Sequence, residues 1–528
     1  MARAMEERGS AKDMPPAKER VSIFDAGVLL SGAFLAVVSA AICMQIMGLF
    51  GTTPNTSLIG AVLIMIVARI PLAALMRLRH RERQNYILTI ASSSGFAAAN
   101  CGFIAIATMF VFGRDDLILP AAAGALVGSM LSVFFVGRVF DSKIFPARAA
   151  WPMGKAIANV VEAGDEGGKK TSQLFQGIGL GALASFFGIP AAGVGVAFIA
   201  NMLSMAALGA GMLIRGYSAA LFGGFDIGAS GIAQGIMVGA GAVALAQIVV
   251  TLMKKSKGAE EDSYTVSDAS ARGSIGAASL FFVAGAVLVG LVSGAFSHMG
   301  FLQSAAWALF CGASSIVVAI LVGRAAMQTG WAPAFAVVTI CLTVGLFAGF
   351  PPVPLAVLVG YIGSVGLPMH DTGQSLKAGW LIRGQGSDEE RERHGRRHQL
   401  IGKQFGVVIG IGMALVFSRL LIAGDVIPPM SVFFAGTVSE SADMAFVREL
   451  LIWAAPGAVL QAAFGSRSVG LMLATGLLIN NPVFGIAVLA AILARLVFGA
   501  GRMEIRAPGL IAGDGLFGFG SNIFKAFM

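Results

Sequence analysis

The stretch EAGDEGGKKTSQLFQGIGLGALASFFGI (162–189) places a charged, glycine-containing segment directly before an apolar run. Its first nine residues carry five charges and three glycines, whereas only 12% of the whole chain is charged. The apolar run 171–188 is long enough to cross a bilayer as a helix, because about 20 apolar residues span roughly 30 Å of hydrocarbon. Apolar runs of this length recur from residue 24 to the C-terminus, so this stretch predicts the architecture of the chain.

Composition places the chain among polytopic membrane proteins. The 528 residues are 56% hydrophobic with a mean hydropathy of +0.82, which leaves too few polar side chains to cover a water-soluble surface. The 70 glycines are typical of helices that approach each other closely through small residues. We predict an all-α fold of about 16 transmembrane helices in two pseudo-symmetric halves, with glycine-rich broken or re-entrant segments.

The distribution of the net charge of +9 indicates topology and not nucleic-acid binding. Lys and Arg concentrate in 1–22, 77–83, 138–170, 254–257 and 377–403, which the positive-inside rule assigns to the cytoplasm. The first half then has candidate spans that alternate in direction, at 27–50, 58–76, 87–112, 117–140, 171–188 and 192–214.

The N-terminal segment and the cysteines constrain the compartment. Residues 1–22 are polar and mixed in charge, and no small-residue cleavage site follows, so they predict a cytosolic tail and not a signal peptide. All four cysteines lie inside apolar runs, where they are expected to be small buried side chains without disulfides.

A second polar island, residues 367–404, also precedes an apolar run that begins with a Gln-Leu pair. KKTSQLFQGIGLGAL and RRHQLIGKQFGVVIG align on Gln173 and Gln399, an offset of 226 (399 − 173). GMLIRG (211–216) resembles GLLINN (476–481) at an offset of 265, which requires an insertion, placed at 424–446. These similarities predict two related units. Their predicted bounds are 23–253 and 274–528, joined by a cytosolic linker over 254–273.

Four separated motifs, in this order, resemble the oligopeptide transporter (OPT) family. They are QNYILTIASSSGFAAANCGF (84–103), WPMGKAIANVVEAGDEGGKK (151–170), DTGQSLKAGWLIRG (371–384) followed by RRHQ (396–399), and GLIAGDGLFG (509–518). The resemblance implies a prokaryotic secondary transporter for proton-coupled symport of small peptides or metal–amino-acid chelates, in the bacterial cytoplasmic (inner) membrane. Met153 and Lys155 stand where close family members often have Glu and Thr, so the substrate class stays open.

Candidate residues for the substrate or proton pathway come from the polar positions of these motifs. Glu162, Asp165 and Glu166 either line a polar path or are solvated in a cytoplasmic loop. Asn85, Ser92, Ser93, Ser94 and Asn100 either line that path or join helices. The resemblance to the second-half loop adds Asp371, Gln374 and Lys377, whereas the adjoining DEERERHGRR (388–397) is expected to be a solvated face.

Asp226 and Asp514 complete the candidates, each a lone carboxylate in a glycine-rich segment with apolar flanks. Either residue could take up a proton as its hydration changes, or cap a helix. We hypothesise that Asp514, within AGDGLFGFGSN, helps to carry the coupling proton.

The sequence lacks motifs that metal-dependent and ATP-driven proteins require. It has no HExxH motif and no GxxxxGK[ST] phosphate loop, so we expect no bound metal or cofactor, and the driving force is an ion gradient. The expected partners are a small-molecule substrate, protons and the lipid bilayer, without nucleic acid, and a homo-oligomer is left open. The alternatives are a passive channel and a membrane-embedded transferase, which would need paired acids such as Asp115 and Asp116 on the cytosolic side.

Overall fold

The computed structural model describes residues 21–50, 80–166, 168–253, 264–330, 332, 334–424, 426–439, 444–467, 469–499, 501–503 and 505–527. These residues are helical apart from short connections and one isolated bridge between Phe140 and Phe145. The predicted cytosolic tail up to residue 20, the candidate span 58–76 and the first half of the predicted linker (254–263) lie outside the described residues.

The described residues form 18 α-helices when the nearly continuous helix Arg81–Val111 is counted once. In chain order they are α1 (Ala26–Phe50), α2 (Arg81–Val111), α3 (Ile118–Val139), α4 (Pro152–Glu166), α5 (Gly168–Phe186), α6 (Ala191–Ile199), α7 (Met202–Leu221), α8 (Ile232–Met253), α9 (Asp268–Val292), α10 (Phe301–Thr329), α11 (Ala334–Phe347), α12 (Pro352–Ile382), α13 (Glu389–Ala423), α14 (Pro429–Ser439), α15 (Met444–Phe464), α16 (Val469–Leu478), α17 (Pro482–Phe498) and α18 (Arg506–Phe527). The all-α fold class is confirmed for the described residues.

Seven helices in the described part are long and apolar enough to cross a membrane: α1, α2, α3, α9, α10, α12 and α13. They make the protein an integral, multi-pass membrane protein. The total of about 16 spans and the division into two halves stay predictions.

Several other apolar helices are too short to cross a bilayer alone. α16 has 10 residues, which at 1.5 Å per residue covers about 15 Å, half of the hydrocarbon core. The predicted single span 192–214 is wrong, because α6 ends at Ile199 and α7 begins at Met202. Asn201 causes this break: its side-chain oxygen accepts hydrogen bonds from the backbone of Leu203 and Ser204, which caps α7.

Two segments expected to be irregular are helical. α4 continues to Glu166 through most of EAGDEGG, and DTGQSLKAG (371–379) lies wholly inside α12. The glycines of the α12 segment serve close packing and not chain reversal. A side chain on Gly373 would come within 2.4 Å of the Trp151 ring.

Glycines also set the distance between α2 and α13. A Cβ atom on Gly406 or Gly410 would lie 2.4 Å from the backbone oxygen of Ile90 or Ser94, respectively. Only a hydrogen fits at these positions, so the two backbones meet directly. The predicted packing role of the glycines is confirmed at this contact.

α7, which contains GMLIRG, and α16, which contains the first three residues of GLLINN, also pack through glycine. A Cβ atom on Gly211 would meet the oxygen of Leu473, and one on Gly476 would meet the oxygen of Leu208. The differences 476 − 211 and 473 − 208 are both 265, the offset of the sequence similarity. The contact is therefore reciprocal: the first glycine of each similar stretch meets the residue three positions before the other stretch.

α2 and α12 are the most buried spans. In each, 89% of the most apolar window lies inside the protein, compared with 33% in α9. α2 packs against α1 and α13, and α12 packs against α3, α4 and α10. The polar residues of α2 and α12 are therefore enclosed by protein.

Candidate functional site

The centre of the site is an ion pair between α12 and α13. Lys403 Nζ lies 2.5 Å from Asp371 Oδ2 and donates to Ser92 Oγ at 2.8 Å. The two charged side chains are 0% and 3% exposed. Ser93 on α2 donates to the backbone oxygen of Lys403 at 2.7 Å, so three helices meet at this pair.

Two charges enclosed in this way are costly unless each is paired. Taking an ion out of water costs several kcal/mol, and the attraction within the pair offsets that cost only when the remaining polar atoms are also satisfied. Asp371 Oδ1, His370 Nδ1 and Thr372 Oγ1 are buried polar atoms that have no hydrogen-bond partner within the described protein. Such atoms are suited to bind water, a proton or a solute.

α2 contributes a π-helical stretch directly after its serines. Residues Ala97–Phe103 are π-helical and include the predicted Asn100, whose amide donates to the oxygen of Phe96 at 3.4 Å. Interruptions of this kind in α-helices occur frequently at functional sites. Here the stretch lies against α13, α1 and α12.

A second buried network lies at the α12–α13 connection. Arg383 binds Glu392 through two nitrogens, at 2.7 and 3.1 Å, and its third donates to Gln399 at 2.8 Å. Arg396 lies 3.3 Å from the same Glu392 carboxylate and 3.8 Å from Asp141. The network joins α12, α13 and the chain after α3 on the side that the charge distribution assigns to the cytoplasm.

The expectation that DEERERHGRR is a solvated face is wrong for two of its residues. Glu392 and Arg396 are buried, whereas Glu389, Arg393 and Arg397 are exposed. Burial follows the helical period, since Glu392, Arg396, Gln399 and Lys403 recur every three or four residues on the inner side of α13. This spacing was the available signal for the residues that the sequence analysis missed.

Gln374 and Lys377 fasten neighbouring segments to α12. The Gln374 side chain accepts from the Gly154 amide at 2.7 Å and donates to the Ala326 oxygen at 2.9 Å. Lys377 Nζ donates to the backbone oxygens of Ala147 and Ala149 at 2.7 and 3.2 Å. It also lies 4.5 Å from the centre of the Trp380 ring.

Lys377 and Glu162 both line one cavity of about 400 Å³ between α4 and α12. The cavity is also lined by Arg148, Lys155, Asn159 and Gln385. Of the predicted acidic cluster, Glu162 thus lies at a cavity. The side chains of Asp165 and Glu166 lie outside the described residues.

The predicted stripe on α2 is buried but divides by role. Ser92 and Ser93 contact Lys403, whereas Ser94 donates to the Ala36 oxygen of α1 at 2.9 Å. Asn85 is buried and its amide nitrogen has no partner within the described protein. Two serines therefore belong to the ion-pair site and one joins helices.

Asp226 and Asp514 lie apart from the α12–α13 networks. Asp226 forms an ion pair with Arg215 and accepts from the Gly228 amide, and its side chain is 44% exposed. Asp514 Oδ2 accepts from the Ala192 amide at 2.7 Å, at the start of α6. Both carboxylates satisfy backbone amides at helix starts, as capping residues do.

No group of three or more potential metal ligands occurs among the residues that the structure describes. His394 and His398 do form a pair on α13, with their Nε2 atoms 3.1 Å apart. His398 Nδ1 is already engaged, because it accepts from the Ile23 amide at 3.1 Å.

Comparison with known families gives a match for the first part of the chain. Residues 27–252 match the family model described as OPT oligopeptide transporter protein. The resemblance to the OPT family is confirmed over this part of the chain. No curated protein matches the sequence. The OPT match covers α1 to most of α8, and so includes Ser92, Ser93 and Asp141 but not Asp371 or Lys403. The matched family is described as a transporter, which agrees with a small-molecule substrate for an integral membrane protein.

Proposed function

We propose that this chain is a proton-coupled secondary transporter that carries small peptides or metal–amino-acid chelates across a bacterial cytoplasmic membrane. The family match supports transport, and the buried Asp371–Lys403 pair is the observation that carries the coupling mechanism. Ionisable residues within membrane spans are costly and mark substrate, ion or proton paths. This pair lies where two membrane-length helices meet a third.

The pair can exchange one partner for another. A proton that binds Asp371 neutralises the carboxylate, and Lys403 then loses its counter-ion. The carboxylate of a bound solute replaces that counter-ion, and the site holds one neutral acid and one new ion pair. When the solute leaves, Lys403 attracts Asp371 again and the proton is released.

The charge of the enclosed site makes this exchange coupled. A proton alone leaves one unpaired positive charge, and a solute carboxylate alone, with the solute's ammonium group outside the enclosed site, leaves one unpaired negative charge. Either state is costly in a medium of low dielectric constant. Proton and substrate therefore each favour the binding of the other, and this coupling is reciprocal.

Peptides and amino-acid chelates both present a carboxylate to Lys403. The Asp371–Lys403 pair therefore suits both kinds of substrate and does not distinguish peptides from chelates. The hydroxyl of Ser92, which already accepts from Lys403, helps to hold the ammonium group in place during the exchange.

Asp514 is a second candidate for the proton carrier. Its carboxylate accepts from the first turn of the short helix α6, and discontinuous helices of this kind bind coupling ions or substrates in secondary transporters. Its polar contacts are with neutral groups, the Ala192 amide and the Ser185 hydroxyl. Protonation of Asp514 would therefore act by loosening α6.

Uptake into liposomes tests the function. The purified protein would be reconstituted and supplied with dialanine, trialanine and the zinc–histidine chelate, with and without an inward proton gradient. We expect accumulation above the external concentration of at least one solute, abolished by a protonophore. Equilibration that ignores the proton gradient would contradict symport and favour the passive channel.

The alternative of a membrane-embedded transferase requires paired acidic residues, such as Asp115 and Asp116, at the site of the reaction. Asp116 instead binds the adjacent Arg114 through two oxygens in an exposed turn before α3. That ion pair leaves the transferase without support from the described residues.

A further inference from the structure

The cavity between α4 and α12 lies outside the Asp371–Lys403 site, yet it has the composition of a binding site. One stripe of α4 supplies Lys155, Asn159 and Glu162, which are spaced three or four residues apart and so share a helix face. Lys377 and Leu381 supply the facing stripe of α12. The volume of about 400 Å³ lies within the range of small-molecule pockets.

The charges that line the cavity favour an anionic group. Among the described residues that line it, Arg148, Lys155 and Lys377 contribute three cations, and Glu162 contributes one carboxylate. Lys377 is only 6% exposed, so its charge is enclosed and little screened by water. Its ammonium group has three donors, of which two are bonded to the Ala147 and Ala149 oxygens. Within the described part of the chain the third donor has no hydrogen-bond acceptor, and the Trp380 ring lies 4.5 Å from the nitrogen.

The cavity is connected to the ion-pair site through α12. Lys377 lies six residues beyond Asp371, which is about 9 Å along the helix axis. Gln374 lies between them and binds the Gly154 amide of α4. A ligand that changes the distance between α4 and α12 at the cavity would therefore also shift α12, the helix that contains Asp371.

Residues with unusual backbone conformations flank the cavity. Trp151, which follows the lining residue Ala150, has φ 36°, and Gln385, which lines the cavity, has φ 60°. Non-glycine residues in this region store strain that surrounding contacts must hold, and such strain clusters at functional sites. Here the Trp151 amide donates to the Met327 oxygen and its ring packs against Gly373 of α12, and the Gln385 amide donates to the Trp380 oxygen.

We propose that this cavity binds a zwitterionic solute, with its carboxylate held by Lys377 and Lys155 and its ammonium group received by Glu162. The assignment rests on the proposed function, because it places a second substrate site on the cytoplasmic side of the transport path. The site would take the solute on its release from the Asp371–Lys403 pair.

Binding is measured without transport, on the full chain in lipid nanodiscs. Trp380 reports it, because its ring stacks against the Lys377 ammonium group and a carboxylate at Lys377 alters the fluorescence. We expect saturable quenching by dialanine, roughly tenfold weaker binding of dialanine amide, and loss of the signal in Trp380→Phe. Inorganic phosphate and vesicles of anionic lipid are the competing probes.

Two variants separate the cavity from the surface. Lys155→Met should weaken dialanine binding about tenfold, whereas Lys143→Met, which removes a partly exposed lysine paired with Asp268, should leave it unchanged. Lys377→Met should abolish binding. Because Lys377 also donates to the backbone oxygens of Ala147 and Ala149, this variant could fail to fold, and in that case Lys155→Met provides the test.

Two outcomes would overturn the site: equal affinity for dialanine in Lys155→Met and the unchanged protein, or phosphate binding as tight as dialanine binding. If either result is found together with intact proton-driven uptake, the cavity is not a substrate site, but the proposed transport function is still supported. Specific dialanine binding without any uptake in liposomes has the opposite meaning: the cavity assignment holds and the proposed function fails.

Discussion

Asp371 and Asp514 are aspartates in apolar helices, and their surroundings differ in one decisive respect. Asp371 on α12 is paired with a lysine of another helix, and its second oxygen has no hydrogen-bond partner within the described protein. Asp514 on α18 accepts from the backbone amide of Ala192 at the start of α6. One carboxylate balances a charge, and the other satisfies the end of a helix.

Because of this difference, protonation has different consequences for the two carboxylates. Protonation of Asp371 releases a buried cation and so creates a demand for another anion, which a substrate meets. Protonation of Asp514 weakens a contact to a neutral amide and creates no such demand. Asp371 is therefore the better carrier of coupling, although the sequence alone favoured Asp514.

Removing one member of the buried pair should have the largest effect on stability. Lys403→Met leaves the Asp371 carboxylate enclosed without a counter-ion, and we expect a loss of about 3–5 kcal/mol in the free energy of unfolding. The double variant Asp371→Asn/Lys403→Met should recover most of that loss. Denaturant titration in detergent micelles measures both, and equal losses in the single and double variants would contradict an ion pair.

The contact that brings the Ser92 region of α2 against α13 should be almost as sensitive. Gly410→Ala places a methyl group 2.4 Å from the Ser94 oxygen, and we expect a loss of about 1–3 kcal/mol. Gly412→Ala on the same helix is the matched control, because nothing lies within 4 Å of its Cβ position. A loss of equal size at Gly412 would indicate a general intolerance of α13 and not a specific contact.

The Asp514 region should respond more weakly. Asp514→Ala removes the acceptor of the Ala192 amide and should cost about 1 kcal/mol, as loss of a helix cap does. Asp514→Asn retains an oxygen acceptor and should cost less. A loss as large as that of Lys403→Met would mean that Asp514 also balances a buried charge.

The smallest effect is expected for the exposed pair on the outer face of α13. The side chains of Arg393 and Glu389 are 68% and 56% exposed, and such pairs contribute about 0.5 kcal/mol or less. Arg393→Met therefore serves as the control for Lys403→Met on the same helix. A loss above about 1 kcal/mol in the free energy of unfolding would show that the exposed and buried faces of α13 do not differ in sensitivity to substitution.

The sequence predicted the parts of the fold that depend on local composition. Apolar runs at 27–50, 87–112 and 117–140 became α1, α2 and α3 within a few residues, because membrane length and helical period are local properties. The break at Asn201 was missed, because an asparagine inside an apolar run predicts a cap only once the chain is known to bend there.

The candidate site was predicted in part. Asp371, Ser92 and Ser93 were named and meet at one ion pair, but their partner Lys403 was not. Lys403 follows a highly charged segment, and charge density alone does not show which helix face turns inward. That choice depends on the close α2–α13 packing through Gly406 and Gly410, which is a tertiary property.

Proton-driven uptake by Asp371→Asn and Asp514→Asn, compared in the same liposome assay, tests the coupling mechanism most directly. Asparagine retains the size of aspartate and cannot ionise. We expect Asp371→Asn to lose accumulation above the external concentration and its response to external pH, while the unchanged protein accumulates more solute as external pH falls. Asp514→Asn should retain both properties. Intact, pH-dependent accumulation by Asp371→Asn, with its loss in Asp514→Asn, would contradict coupling at the Asp371–Lys403 pair and return the role to Asp514.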